Sequence, residues 1–383
     1  MLQVTHDELK DLLKQYYKKK LALFVYGRFG IGKSEVTTRS CEEIAKEKGR
    51  QFVVWARMSE EEKKDAFINP SKYFVFIDIR LSEYDSSDIK GLPMFMDDKR
   101  SITFKVPTWA LLMEEKDSDG ILFFDEINLA PPLVMSSCYK IIYDRVINDS
   151  KINDNWGIFG AGNLDEDRAY TNHIAPPLKD RGGEVELVGA SADKWTQWAI
   201  SQDVNNLIIG FINFKNSALY KVDFDDKQKY TTYRGWARLS KLIGSDYLEG
   251  DGKKDYKKLL LMCQSAIGEG VASEFVAFCK INEEIDLPSI IKEPDKLKKI
   301  EEVSILWFIN TAIADQYKAN KIKFDKVLDV SKVLDGMDQV ELVAYLWKMC
   351  QGLCKEKFRK DFVTKTGADQ DKIVNKYTKY LMP

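Results

Sequence analysis

Residues 21–34 read LALFVYGRFGIGKS. An unbroken apolar run ends at Gly27, a glycine-rich loop follows, and residues 33–49, KSEVTTRSCEEIAKEKG, read as a helix. A short apolar run closed by glycine is the mark of a strand buried on both faces. The loop has the spacing G-x-x-x-x-G-K-S through Gly27, Gly32, Lys33 and Ser34, which is that of a phosphate-binding loop. Its glycines let backbone N–H groups curl around a phosphate at the positive end of the next helix. The cradle is expected to comprise Gly27, Arg28, Phe29, Gly30, Ile31, Gly32, Lys33, Ser34 and Glu35. Lys33 would reach the β- and γ-phosphates of ATP, and Ser34 would ligate Mg²⁺.

Further apolar runs stand at 52–58, 73–79, 120–126, 156–162 and 184–190, with helical patterns between most of them. Strand and helix in alternation predict a mostly parallel sheet covered on both faces. Before them, residues 4–20 predict a helix that opens with a Thr5–Glu8 capping box and a Val4–Leu9 staple. Beyond residue 191 the strand signals stop and helical patterns continue to the end, interrupted by a polar stretch with Pro288 and Pro294. The expected plan is an amphipathic helix (1–20), an α/β core with a parallel sheet (21–191), an all-helical lid (192–285) and a helical C-terminal extension (286–383).

The run at 121–128, ILFFDEIN, places two adjacent carboxylates at the end of the most apolar strand. A phosphate loop explains both. Asp125 would hold Mg²⁺ from a second strand end. Glu126, beside the γ-phosphate, would orient and deprotonate the attacking water. Their mutual repulsion would be offset by the cation and by Lys33.

Charge is balanced, 58 basic against 60 acidic residues for a net −2, which argues against a chain built mainly to coat nucleic acid. Six cysteines are scattered without a CxxC pair and read as reduced thiols. Residues 1–20 lack the apolar core of a signal peptide, and no apolar run approaches the ~20 residues of a membrane span. A cytoplasmic protein without membrane contact is expected.

The pair GRFGIGKS and FFDEIN resembles the AAA+ ATPases, and IDIRLSEYDSSDIKGLPMF, VPTWALL, WGIFGAGN and GEGVASEFVAF look like the MoxR branch. The resemblance covers about residues 21–285 and is weak over 49–72. It implies the AAA+ P-loop NTPase fold and further catalytic residues. Asn163 falls where the family places the polar side chain that aims the lytic water. Arg181 falls at the arginine finger that reaches the γ-phosphate held by the neighbouring subunit; Gly182 follows it where the family has an aromatic residue. Arg234 matches the sensing arginine of the lid, with Tyr233 before it in place of proline and Arg238 as the rival one turn away. A finger supplied in trans implies a homo-oligomeric ring, most often a hexamer, in which ATP hydrolysis remodels a client protein as a chaperone does. Relatives often act with a partner carrying a von Willebrand factor A domain, and no such domain follows residue 285. Residues 85–105 and 145–157 look like the family's two hairpins, with Met94, Phe95 and Met96 either presented to the pore or part of the core.

Two other readings stand beside this one. A nucleic-acid motor of the McrB kind would use the tail, 355–383, with eight Lys/Arg, four Asp/Glu and interleaved aromatics, although a solvated amphipathic helix explains that tail as well. A nucleotide-controlled scaffold with little turnover is the third, and the complete set of hydrolytic residues counts against it.

Overall fold

The apolar run at 22–26 is a strand in which every residue is buried. The computed structural model of the protein describes residues 1–97, 101–164, 182–222, 230–243, 255–283, 285–368 and 372–377. The chain divides into two compact units, Met1–Gly189 and Ala190–Pro383. In the first, the elements are β1 (Leu2–Val4), α1 (His6–Lys19), β2 (Ala22–Tyr26), α2 (Lys33–Glu47), β3 (Gln51–Val54), α3 (Glu60–Ile68), β4 (Tyr73–Arg80), α4 (Ser86–Lys90), β5 (Leu92–Phe95), β6 (Ile102–Lys105), α5 (Thr108–Glu114), β7 (Gly120–Asp125), α6 (Pro132–Asp144), β8 (Val146–Ile147), β9 (Ser150–Lys151), β10 (Trp156–Gly162) and β11 (Gly182–Leu187).

Seven strands form one sheet in the order β1-β11-β2-β10-β7-β4-β3. Every pairing in it is parallel. Helices cover a parallel sheet on both faces, so its central strands have no polar side to show. Accordingly β10 is buried along its whole length, as are the first five residues of β7. This matches the AAA+ P-loop NTPase fold class implied by the motifs, an α/β core with a parallel sheet followed by helices.

The expected capping box at the start of α1 is present: Thr5 accepts from the Glu8 N–H while the Glu8 carboxylate accepts from the Thr5 N–H. Leu9, Leu13 and Tyr17 form its buried face. Residues 1–20 are more than a helix, however. Val4 pairs with Leu187 and makes β1 an edge strand of the sheet, so this segment belongs to the core. Two of the three β1 residues are exposed, which left no alternation to read. At the opposite end of the strands, Asp119 is 1% exposed and ties three elements together. It accepts from the Tyr17 hydroxyl at 2.5 Å, pairs with Lys48, and lies 3.5 Å from Arg50.

The segment 52–58 is strand only to Val54, after which Trp55–Arg57 turns as a 3-10 helix. The poorly matching stretch that follows contains α3 and a second 3-10 turn, Pro70–Lys72. Both expected hairpins are present, β5 with β6 and β8 with β9. Met94, Phe95 and Met96 are 41%, 79% and 49% exposed, so they are not core.

The second unit is helical among its described residues, apart from one isolated bridge between Lys221 and Thr231. The long pattern at 256–280 is two helices, Tyr256–Ile267 and Glu269–Glu283, separated at Gly268. Phe211 packs against Trp236, Phe275 and Phe278 at centroid distances of 5.8, 5.3 and 5.4 Å. Helix Asn206–Phe214 also meets helix Val303–Lys318, where Asn206 bonds to Asp315. Elements expected in a lid and in an extension therefore share one packed unit. All six cysteines are free thiols, and five are buried.

Candidate nucleotide site

In an open parallel sheet, ligands bind beyond the carboxyl ends of the strands. Three adjacent central strands end together here. Gly162 of β10 pairs with Tyr26 of β2, and Gly160 of β10 pairs with Phe124 of β7. The residues that leave these ends are Gly27, Asp125, Glu126 and Asn163.

The loop from Gly27 to Gly32 leads into α2, whose first residue is Lys33. Gly30 and Gly32 adopt φ of 73° and 101°, a left-handed region that side-chain-bearing residues occupy only under strain. Lys33 is 8% exposed, and its ammonium donates to the carbonyls of Gly27 at 2.6 Å and Arg28 at 3.1 Å and to Asn163 Oδ1 at 3.0 Å. Arg28 is exposed, Phe29 half-buried and Ile31 buried. Glu35, in the first turn of α2, directs its carboxylate to Arg39 at 2.8 Å.

Ser34 Oγ donates to Asp125 Oδ2 at 3.0 Å. A hydroxyl and a carboxylate held at that separation are the hard oxygen donors that Mg²⁺ accepts alongside phosphate and water, so the pair fits the implied ion. Asp125 Oδ1 also accepts the Glu126 N–H at 2.9 Å. Glu126 itself has φ of 56°, a left-handed conformation that strains a non-glycine residue by ~1–3 kcal/mol. The turn is closed by the Leu129 N–H donating to the Glu126 carbonyl at 2.8 Å. The Glu126 carboxylate meets the Ser82 hydroxyl, which donates to Oε2, and Arg80, whose Nε lies 3.9 Å from Oε1.

Sequence reasoning did not find four of the residues that build this site. Asn128, 3% exposed, clamps the backbone of Asn163: its Nδ2 donates to the Asn163 carbonyl at 2.7 Å, and its Oδ1 accepts the Asn163 N–H at 3.0 Å. An asparagine inside a buried run was the available signal. Arg80 ends β4 and Ser82 lies in the turn after it, and nothing in the sequence links them to Glu126. Asp78, on β4, has its carboxyl pushed up to about 6, first by burial and then by the charge of Asp125; Arg80 and Arg57 oppose the shift and Glu126 adds to it.

Lys33, Ser34, Asp125, Glu126 and Asn163 are thus brought to the carboxyl ends of neighbouring strands of one sheet. Arg181 lies outside the described residues. Arg234 belongs to the second unit, on helix Tyr233–Ile243, where both it and Arg238 are exposed one turn apart.

No family model matches the sequence, and no curated protein matches it. Among solved structures it is similar to the Holliday junction branch migration motor RuvB of Thermotoga maritima, with 14% identity over 77% of this chain and 76% of that one at a TM-score of 0.31. It is also similar to ORC2 of Aeropyrum pernix, solved as ADPNP–ADP complexes, with 11% identity over 90% of this chain and 93% of that one at a TM-score of 0.31. NtrX of Brucella abortus with ADP gives 13% identity over 71% of this chain and 65% of that one, again at 0.31. Scores this low carry no argument about function; the geometry at the strand ends does.

Proposed function

We propose that this chain is an AAA+ ATPase of the MoxR type that binds Mg²⁺ and ATP at the carboxyl ends of β2, β7 and β10. The observation that carries the reading is the convergence of Lys33, Ser34, Asp125, Glu126 and Asn163 from three separate strand ends. On nucleotide binding, the Lys33 ammonium exchanges its carbonyl partners for β- and γ-phosphate oxygens. Ser34 and Asp125 would hold Mg²⁺, which supplies positive charge against the phosphates. Glu126 takes a proton from the attacking water, and Asn163 Oδ1 orients that water. Because Ser82 and Arg80 contact Glu126, the base must be released from them before it reaches the water. The test is Glu126→Gln. The variant is expected to bind ATP as the wild type does and to lose about 10²–10⁴-fold in turnover; near-normal turnover contradicts the assignment.

Beyond hydrolysis, the reading extends to a homo-oligomeric ring, most often a hexamer in that family, with Arg181 as the finger from the adjacent protomer and Arg234 as the lid residue. A finger of this kind is worth about 10³–10⁵ in rate, so full turnover from a strictly monomeric preparation would contradict the ring. The exposed apolar residues of the β5–β6 hairpin, with Phe95 79% and Leu92 59% exposed, supply a surface for a protein client. A partner with a von Willebrand factor A domain remains part of the proposal, supported by the sequence resemblance alone.

The DNA-motor reading gains nothing from the described residues of the tail; Tyr380 lies outside them. Phe358 and Tyr377 are 3% and 0% exposed, and Phe362 packs on Trp347 at 5.8 Å, so these rings are committed to packing rather than offered to bases. Among the described residues no helix is long and apolar enough to cross a membrane.

A further inference from the structure

The one peptide of the phosphate loop that sits between Ile31 and Gly32 is held from outside the loop. The His6 ring nitrogen Nε2 lies 2.8 Å from the Ile31 carbonyl oxygen. A carbonyl can only accept, so Nε2 must carry the proton. Burial lowers the pKa of this imidazole, which favours the neutral ring, and a neutral ring can carry that proton.

Two features make this contact more than a loop tether. The first is the geometry of a trans peptide, in which the carbonyl and the following N–H point in opposite directions; no peptide among the described residues is cis. Fixing the Ile31 carbonyl on His6 therefore fixes the Gly32 N–H pointing away from His6. The second is the freedom of that plane. Rotating it uses ψ of Ile31 and φ of Gly32, and Gly32 at φ 101° has no Cβ to oppose rotation. An external bond is what selects one orientation. His6 in turn cannot drift, because it is the first residue of α1, directly after the Thr5 cap, and Val4 is registered against Leu187 in the sheet.

We infer that His6 is a positioning residue for the nucleotide: by donating from Nε2 to the Ile31 carbonyl it sets the Gly32 N–H as a phosphate donor, so that β1 and the start of α1 form part of the phosphate-binding apparatus. This rests on the reading of residues 27–34 as a nucleotide site. It also gives a role to the N-terminal strand, which otherwise only extends the sheet.

ADP binding by calorimetry, with the ¹⁵N–¹H signal of Gly32 followed in the same proteins, tests it. His6→Ala is expected to bind ADP about tenfold more weakly, the loss of one charge-assisted bond to phosphate, and to shift the Gly32 signal. His6→Gln keeps a donor at similar reach and is expected to restore binding to within about threefold of the wild type. Should alanine prevent folding, His6→Phe keeps a ring without the donor and is compared with His6→Gln in the same way. Equal ADP affinity in wild type and the donor-free variant overturns the inference and leaves the nucleotide site standing, as does a glutamine variant no better than alanine. A wild-type protein that binds no ADP overturns both.

Discussion

Asn128→Ala removes a side chain that grips Asn163 with both of its amide atoms, at 2.7 and 3.0 Å. Two such bonds contribute ~1 kcal/mol each. Alanine also strips the Asn163 N–H and C=O of their partners. Asn128 is 3% exposed but Asn163 is half-buried, so water can reach part of the gap, and the added penalty belongs near the low end, ~1 kcal/mol. The expected loss is ~3 kcal/mol, a large share of the ~5–15 kcal/mol that holds a domain folded. The chain has two units and need not unfold in one step, so the assay is hydrogen exchange of the segment 156–164 together with a urea midpoint. Protection at Asn163 is expected to fall. Turnover is expected to drop about tenfold, the effect of a loosened water-orienting group, while ADP affinity changes little. Gly162→Ala provides a second route to the same defect, since its Cβ would come within 2.9 Å of Asn128 Oδ1 and of the Tyr26 ring. A stability change under ~0.5 kcal/mol with Asn163 still protected would refute the clamp, because no buried two-bond contact is that cheap to remove.

Asp78→Asn is expected to alter the pH dependence of stability in nucleotide-free protein. The folded carboxyl is pushed up to about 6 from an ordinary 3.8, so the folded state binds the extra proton between these values and stability falls as pH rises through that window. The residue keeps an exposed face, which limits the effect to ~1 kcal/mol; asparagine should flatten the slope between pH ~4 and ~6, and an unchanged urea midpoint profile would contradict this. Arg181→Ala and Lys33→Ala proteins are each expected to be inactive alone and to recover part of the activity when mixed, since one retains the cradle and the other the proposed finger; no recovery at any ratio counts against a finger in trans.

The core of the site was legible because its chemistry is compressed into short local patterns. A loop whose glycines must adopt left-handed backbone, followed by Lys33 and Ser34, has few other uses, and Asp125–Glu126 closes an apolar strand where charge has no packing role. The same locality explains the secondary structure: the Thr5–Glu8 box sits within one helical turn, and its geometry followed directly. What escaped notice depends on contacts between distant positions. Asn128 and Asn163 are 35 residues apart, and Ser82 and Glu126 are 44 apart; neither pairing leaves a periodicity. Strand β1 is three residues long with a single buried side chain, too little pattern to register, yet its pairing with β11 delivers His6 to the loop. Gly268 divides the long helix at 256–283 through its φ of 83°, although a glycine inside a helical pattern is often tolerated.

If the loop 27–34 holds a nucleoside triphosphate, Lys33 is its main counter-charge. Titration calorimetry of Mg²⁺–ATP into wild-type and Lys33→Ala protein tests it most directly. Saturable binding by the wild type and a loss of about a hundredfold or more in the variant are expected, with the fold intact by circular dichroism. Equal affinity in the two proteins, or no binding by the wild type, would contradict it.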